Sequence, residues 1–367
     1  MTLSFKKLFY VLASLLAAFT ILKLAKGILI PFTFAMLFAF ILYPLVKWFR
    51  QKKVGTIWSI IITMGGVTVL LIGVIFLLSA QIVNMTDDYN SFREDLRQAF
   101  DTSISFLNEK VNIIPTIQME TISKAVSAFF GDNGFVLISG TLGFTSSFLS
   151  YLTLSVVFTF LILLYSRQLT EALTEFSPKE DQESFRIMLK EVQKVGQQYL
   201  TGMVVLVLIL GVLISIGLFS LGIDYAIFFG FLAALLAIIP YVGSFLGGII
   251  PAIFALITYD SYWYPVGVIA IFSFIQFIEG NFLNPKIVGG SLNLNALFSI
   301  FSLIGGGLLW GIPGMILFLP LMAILRTIST HYNELKPLAK LIGDGDSNNT
   351  ESEWWSKLKA KLASFKN

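Results

Sequence analysis

No cysteine occurs in the 367 residues, and histidine occurs once, at His331. Without thiols there can be no disulfide, thiolate metal site or cysteine nucleophile, and one imidazole supports neither a zinc site nor a serine–histidine pair. His331 therefore reads as an ordinary interfacial residue after the last apolar run. Charge is scarce too: only 13% of the residues are Asp, Glu, Lys or Arg, about half the share of a soluble domain. The net charge is +3, and the basic residues sit in short connections instead of forming a stripe, which excludes nucleic acid as a partner. No G-x-x-x-x-G-K-S/T string is present, so no P-loop holds a nucleotide. Neither enzyme chemistry nor any cofactor or metal is expected.

What the chain has instead is apolar length. Hydrophobic residues make up 56% of it, and the mean hydropathy is +0.82. Stretches free of Asp, Glu, Lys and Arg cover residues 8–22, 27–46, 54–83, 133–166, 195–223, 225–259, 261–278 and 287–325. A membrane-spanning helix needs about 20 apolar residues, so the fold class is an all-α polytopic membrane protein with about six full spans. The run 8–22 follows Lys6 and Lys7 as a signal peptide would. It has no convincing small-x-small cleavage site and leads straight into a second run, which predicts an uncleaved first span.

The runs 225–259 and 287–325 are long for one span and short for two. The first contains IIPYVGS, with Pro240, Gly243 and Ser244, and the second GGGLLWGIPG, with Gly311, Pro313 and Gly314. Glycine and proline inside an apolar run predict turns, so both runs become helical hairpins, re-entrant or fully crossing. Either form returns to the face it left, which fixes the parity of the topology. Lys6 and Lys7 before the first span, and Lys47, Arg50, Lys52 and Lys53 after the second, place the N-terminus in the cytoplasm by the positive-inside rule. Counting onward leaves the C-terminus cytoplasmic as well. A span followed by a broken hairpin then occurs twice in opposite orientations, the layout of an inverted repeat in the C-terminal half.

This parity divides the chain into an N-terminal three-span region (1–80), an acidic extracytoplasmic amphipathic segment (81–132), a fourth span (133–166), a cytoplasmic amphipathic helix region (167–194), a transport core (195–330) and a cytoplasmic tail (331–367). In FSPKE, Ser177 as N-cap, Pro178 at the first helical position and Glu180 predict a helix start. In the tail, Trp354, Leu358, Leu362 and Phe365 oppose Lys357, Lys359 and Lys361, a basic amphipathic helix suited to an anionic bilayer surface. The DGDSNN stretch before it fails as a calcium loop, because Asn349 and Trp355 stand where glycine and glutamate belong.

Ionisable groups among apolar residues are functional candidates by default. In IQFIEGNFLNPKIVGG, Gln276, Glu279, Asn281, Asn284, Pro285 and Lys286 crowd together. Glu279 and Lys286 are seven apart, which on a continuous α-helix puts them near one face. Pro285 predicts a break just before Lys286, freeing carbonyls that can coordinate a polar solute or ion. The alternative is that this is the wet cytoplasmic end of a span, and that the turns at 240–244 and 311–314 answer backbone needs alone.

The strings QQYLTG, LGIDYAIFFGFLAALLAIIPYVGSFLG and FIEGNFLNPKIVGGSLNLNALFSIFSLIGGGLLWGIPGMILFLPLMAIL resemble the autoinducer-2 exporter family of permeases, in detail over residues 197–325. That resemblance implies a bacterial inner-membrane permease exporting a small polar solute, with Pro240, Gly243, Glu279, Gly280, Asn281, Pro285, Lys286, Gly311 and Gly314 on the family's elements. It also implies a homo-oligomer such as a pentamer, and two kinds of cargo: a furanone-type signal such as autoinducer-2, or sodium or lithium exchanged for protons. A non-transporting membrane scaffold is the reading from another class. The partners expected are therefore the lipid bilayer, a small polar solute or cation, and further copies of the chain.

Overall fold

The computed structural model describes residues 5–86, 150–239, 242–259, 261–289 and 292–344. Among them there are helices and one isolated backbone bridge, Leu294 to Gly343, but no strand. The helices are α1 (Phe5–Leu24), α2 (Lys26–Gln51), α3 (Thr56–Thr86), α4 (Ser150–Leu164), α5 (Ser166–Glu175), α6 (Gln182–Ser220), α7 (Ala226–Leu236), α8 (Val242–Thr258), α9 (Trp263–Ile278), α10 (Ala296–Trp310), α11 (Ile312–His331) and α12 (Lys336–Ile342). A backbone immersed in lipid must satisfy its own hydrogen bonds, and helices do so locally. Among the described residues, five helices are long and apolar enough to cross a bilayer: α2, the Thr56–Val74 part of α3, α6, α9 with its extension to Gly289, and α11. The pair α4 and α5, bent by 69°, makes a sixth if it is one span. Most of the acidic segment, the tail helix and Pro240 lie outside the described residues.

Helix α6 is the spine. Its 39 residues extend about 58 Å at 1.5 Å per residue, well beyond one bilayer core. The stripe Phe185, Leu189, Val192 and Val195 is therefore the first third of the same helix as the fifth span. The helix starts at Gln182 and its N-cap Asp181 makes no side-chain cap bond, so the start predicted at Ser177 and Pro178 is corrected. There the chain makes a turn, in which the Asp181 N–H donates to Pro178 O at 2.9 Å. Along α6, Tyr199, Leu206, Leu210, Ile214 and Leu218 pack with α7, α8 and α9, and Val192 packs with Ile30 and Leu37 of α2 and Leu317 and Ile324 of α11. A third cluster joins α2, α3 and α4 through Leu42, Ile60 and Leu163.

Helices in lipid gain little from the hydrophobic effect and associate through close packing. The second hairpin shows this directly. Gly306 of α10 lies against Gly314 of α11 with no side chain between the backbones. Its turn is Gly311 alone, at φ 66°, a left-handed value that glycine adopts without steric penalty. Pro313 sits at the start of α11, where its missing N–H costs nothing. The first hairpin differs from expectation in its turn. Gly243 and Ser244 belong to the first turn of α8, while the described chain after α7 already turns at 237–239.

Hydrogen bonds close each hairpin at its base. On the first, the Tyr259 hydroxyl accepts from the Asp224 N–H at 2.8 Å and lies 3.0 Å from Gly222 O, which can take its proton. On the second, Asn295 caps α10 by accepting from the Phe298 N–H at 2.9 Å, while its Nδ2 donates to Leu341 O at 2.8 Å and Gly343 O at 3.1 Å. Tyr259→Phe is expected to cost about 1 kcal/mol, the net worth of one such hydroxyl network, read as a lower thermal midpoint in detergent. Asn295→Ala removes a cap and a clasp together, and the expected loss is about 2 to 3 kcal/mol. Hydrogen exchange should then quicken by roughly tenfold or more at Gly343 and Asp344.

Candidate functional site

The polar cluster sits where α9 stops being an α-helix. After Ile278 the backbone widens into two π-helical stretches, Glu279–Leu283 and Pro285–Gly289. The Asn284 N–H donates to Glu279 O, five residues back. Such segments are rare and cluster at functional sites. Pro285 contributes no N–H to this ladder, so the wider register absorbs the proline, and the helix continues where a break before Lys286 was expected.

Glu279 is buried, 8% exposed, at the head of this segment. Its Oε2 accepts from Gln276 Nε2 at 2.6 Å, one turn earlier on α9. A carboxylate and a carboxamide thus pair at the end of a helix that is otherwise uncharged and mostly apolar. Asn281 is exposed and turns back along the helix, its Nδ2 donating to Phe277 O at 2.8 Å. Asn284, Pro285 and Lys286 are exposed. Lys286 does not meet Glu279, because a π turn winds less per residue than an α turn and carries the two to different sides. Their shared face is corrected: the hydrogen-bond partner of Glu279 is Gln276, itself exposed.

Helix α6 supports the segment from behind. A Cβ on Gly202 would stand 2.6 Å from Ile287 O, so only glycine lets α6 lie on the π-helical backbone. Val288 is buried in the same cluster as Tyr199 and Leu206. Sequence reading quoted Gly202 only as the end of QQYLTG and gave it no role; nothing in the local pattern tells which helix it approaches. It likewise missed the clasp made by Asn295, although an Asn opening an apolar helical run is an N-cap signal.

The remaining candidates are spread apart. Gly311, Pro313 and Gly314 form the tip of the second hairpin, where the Trp310 Nε1–H donates to Leu22 O of α1 at 3.0 Å. Gly243 and Ser244 lie at the tip of the first. His331 is half-buried, with Nδ1 3.0 Å from Thr327 O and Nε2 3.6 Å from Glu191 Oε2, an interfacial side chain that ties α11 to α6. Among the described residues no three His, Cys, Asp or Glu side chains gather to hold a metal ion. A buried carboxylate with one amide partner can hold a proton, receive a cation, or hydrogen-bond a polar solute.

A family model described as AI-2E family transporter matches residues 10–334. YrrI of Bacillus subtilis, whose name marks it only as a candidate transport protein, is 26% identical over 85% of this chain and 88% of its own length. YhhT of Escherichia coli K12, named in the same way, is 26% identical over 91% of this chain and 93% of its own length. TqsA of Escherichia coli K12, named as an AI-2 transport protein, is 24% identical over 94% of this chain and 97% of its own length.

Proposed function

This chain belongs to the AI-2E family of transporters, and from that premise we propose that it is a secondary permease of the bacterial inner membrane. It carries a small polar solute outward, along a route lined by the Glu279 segment and the two hairpins. The observation that carries this reading is the buried Glu279, hydrogen-bonded to Gln276 at 2.6 Å where an apolar helix turns π-helical. A carboxylate in such a place is costly to keep, and substrate or ion handling is the return that explains it. Autoinducer-2, which TqsA's name gives as that protein's cargo, is the first solute to test. The expected result is outward flux from proteoliposomes of the purified protein, absent from protein-free vesicles; no flux of any polar metabolite or cation in a panel would contradict the reading.

The same carboxylate favours a second reading, exchange of sodium or lithium for protons. Sodium-dependent proton flux in those vesicles would support it, and its absence would dismiss it. A homo-oligomer is part of the proposal, since the exposed apolar faces of α3 and α10 offer lipid or a second copy a surface of leucine, isoleucine and phenylalanine.

The two hairpins serve the route differently. The second places its tip against Leu22, two residues before the end of α1 at Leu24, and α11 alone is long enough to cross. This supports a full crossing whose turn reaches the outer face. The first has α7 only 11 residues long, about 16 Å, roughly half a bilayer core of about 30 Å, which supports a turn at mid-membrane. In the cysteine-free chain, Ile312→Cys is expected to react with an impermeant thiol reagent added outside intact cells, and Ser244→Cys is expected to react with a small permeant reagent alone. Labelling of Ile312→Cys from the cytoplasm only would overturn the assignment.

A further inference from the structure

Among the described residues, two buried side-chain polar atoms lack a hydrogen-bond partner: Ser215 Oγ and Arg326 Nε. The serine is neutral, packed against Gly230. The arginine is charged, and its buried Nε–H is a donor that an anionic acceptor would satisfy. Arg326 lies near the end of α11, and no ion pair or hydrogen bond occupies it among the described residues.

Its surroundings hold it open. Gly343 follows α12, and a Cβ there would stand 2.9 Å from Arg326 Nε and 3.4 Å from Nη2, so the missing side chain makes the room in which the guanidinium rests. Gly343 is in turn fixed by the bridge to Leu294 and by Asn295, whose N–H donates to Ile342 O at 3.0 Å. Gly343 therefore joins Arg326 to the N-terminal turn of α10, whose free amides carry partial positive charge. Lys336 and Lys340 on α12 are exposed and add two cations. Of the acids nearby, Glu191 faces His331, Glu334 makes no ion pair among the described residues, and Asp344, the residue after Gly343, is engaged in a contact of its own. Beside the cations, Leu341, 59% exposed, Tyr332 and Leu335 leave an uncovered apolar rim.

We propose that this pocket binds the phosphodiester headgroup of an anionic membrane phospholipid. Arg326 would clamp the phosphate through two N–H groups, the geometry that guanidinium and phosphate share. Lys336 and Lys340 would hold the remaining charge, and the acyl chains would cover Leu341 and Leu335. Basic pockets at the inner ends of membrane helices recognise lipid headgroups in this manner. The apolar rim favours a lipid over free phosphate, which has no use for leucine.

The test uses the full chain in neutral detergent, with phosphatidylglycerol, cardiolipin, phosphatidylcholine or inorganic phosphate added, read by thermal unfolding and by lipid retained in native mass spectrometry. The anionic lipids are expected to raise the midpoint well above phosphatidylcholine, with retention reduced at least about tenfold in Arg326→Gln, as the loss of a charge-assisted pair implies. Lys336→Gln/Lys340→Gln, on exposed positions, should weaken retention several-fold and keeps the proposal exposed should Arg326→Gln fail to fold. Equal stabilisation by inorganic phosphate would show a free-anion site and overturn the lipid assignment. Equal effects of phosphatidylcholine, or retention unchanged in the variants, would overturn the site.

Discussion

Gly314→Val is expected to leave almost no folded protein in a detergent extract, whereas Gly305→Ala leaves the folded fraction unchanged. A side chain at 314 would run into the backbone oxygen of Gly306 and the Cβ of Trp310. Backbone cannot move aside as a flexible side chain can, so the hairpin must open, at a cost at or above the roughly 1–3 kcal/mol typical of overpacking. Trp310 would then lose its hold on Leu22 O, uncoupling α1 from the hairpin. A Cβ at 305 meets nothing within 4 Å. The two changes lie nine positions apart and differ by two side-chain carbons, and fluorescence-detected size exclusion separates them. Gly243→Val should behave like Gly314→Val, because its side chain would strike Leu236 O.

Glu279→Gln is expected to lower solute flux at least about tenfold, the equivalent of losing one hydrogen bond to a charged group, with folding intact. The amide keeps the size of the side chain and can still pair with Gln276, and it removes a buried charge whose desolvation opposes folding. The thermal midpoint should therefore hold or rise. A structural carboxylate would give the reverse pattern, a falling midpoint with flux preserved per folded molecule. Lys286→Ala separates the two further. Lys286 is exposed and unpaired with Glu279, so its loss should leave stability unchanged whatever it does to transport.

The sequence made the membrane character plain, because runs of twenty or more uncharged residues have few other uses. The second hairpin was legible from Gly311 and Pro313, as was the crowding of polar groups around Glu279. What it could not display was how helices meet. Whether Gly202 faces lipid or the backbone at Ile287 depends on a partner eighty-five residues away. The continuity of α6 was hidden for another reason: charged residues before Val195 read as a separate surface helix, yet polarity changes along a helix without ending it. Pro285 misled because proline excludes an α turn more strictly than a π turn. The Ser177 cap failed because capping preferences are weak beside the packing that sets where α6 begins.

The account's central claim is that the stretch from Gln276 to Lys286 lines the route taken by solute. In this cysteine-free chain, Gln276→Cys can be modified with a small charged thiol reagent while flux is followed in proteoliposomes, with Phe274→Cys on the same helix as the comparison. The account predicts that modification at 276 blocks flux and that excess solute slows the labelling, with position 274 indifferent to both. Full flux through protein completely modified at 276 would contradict it.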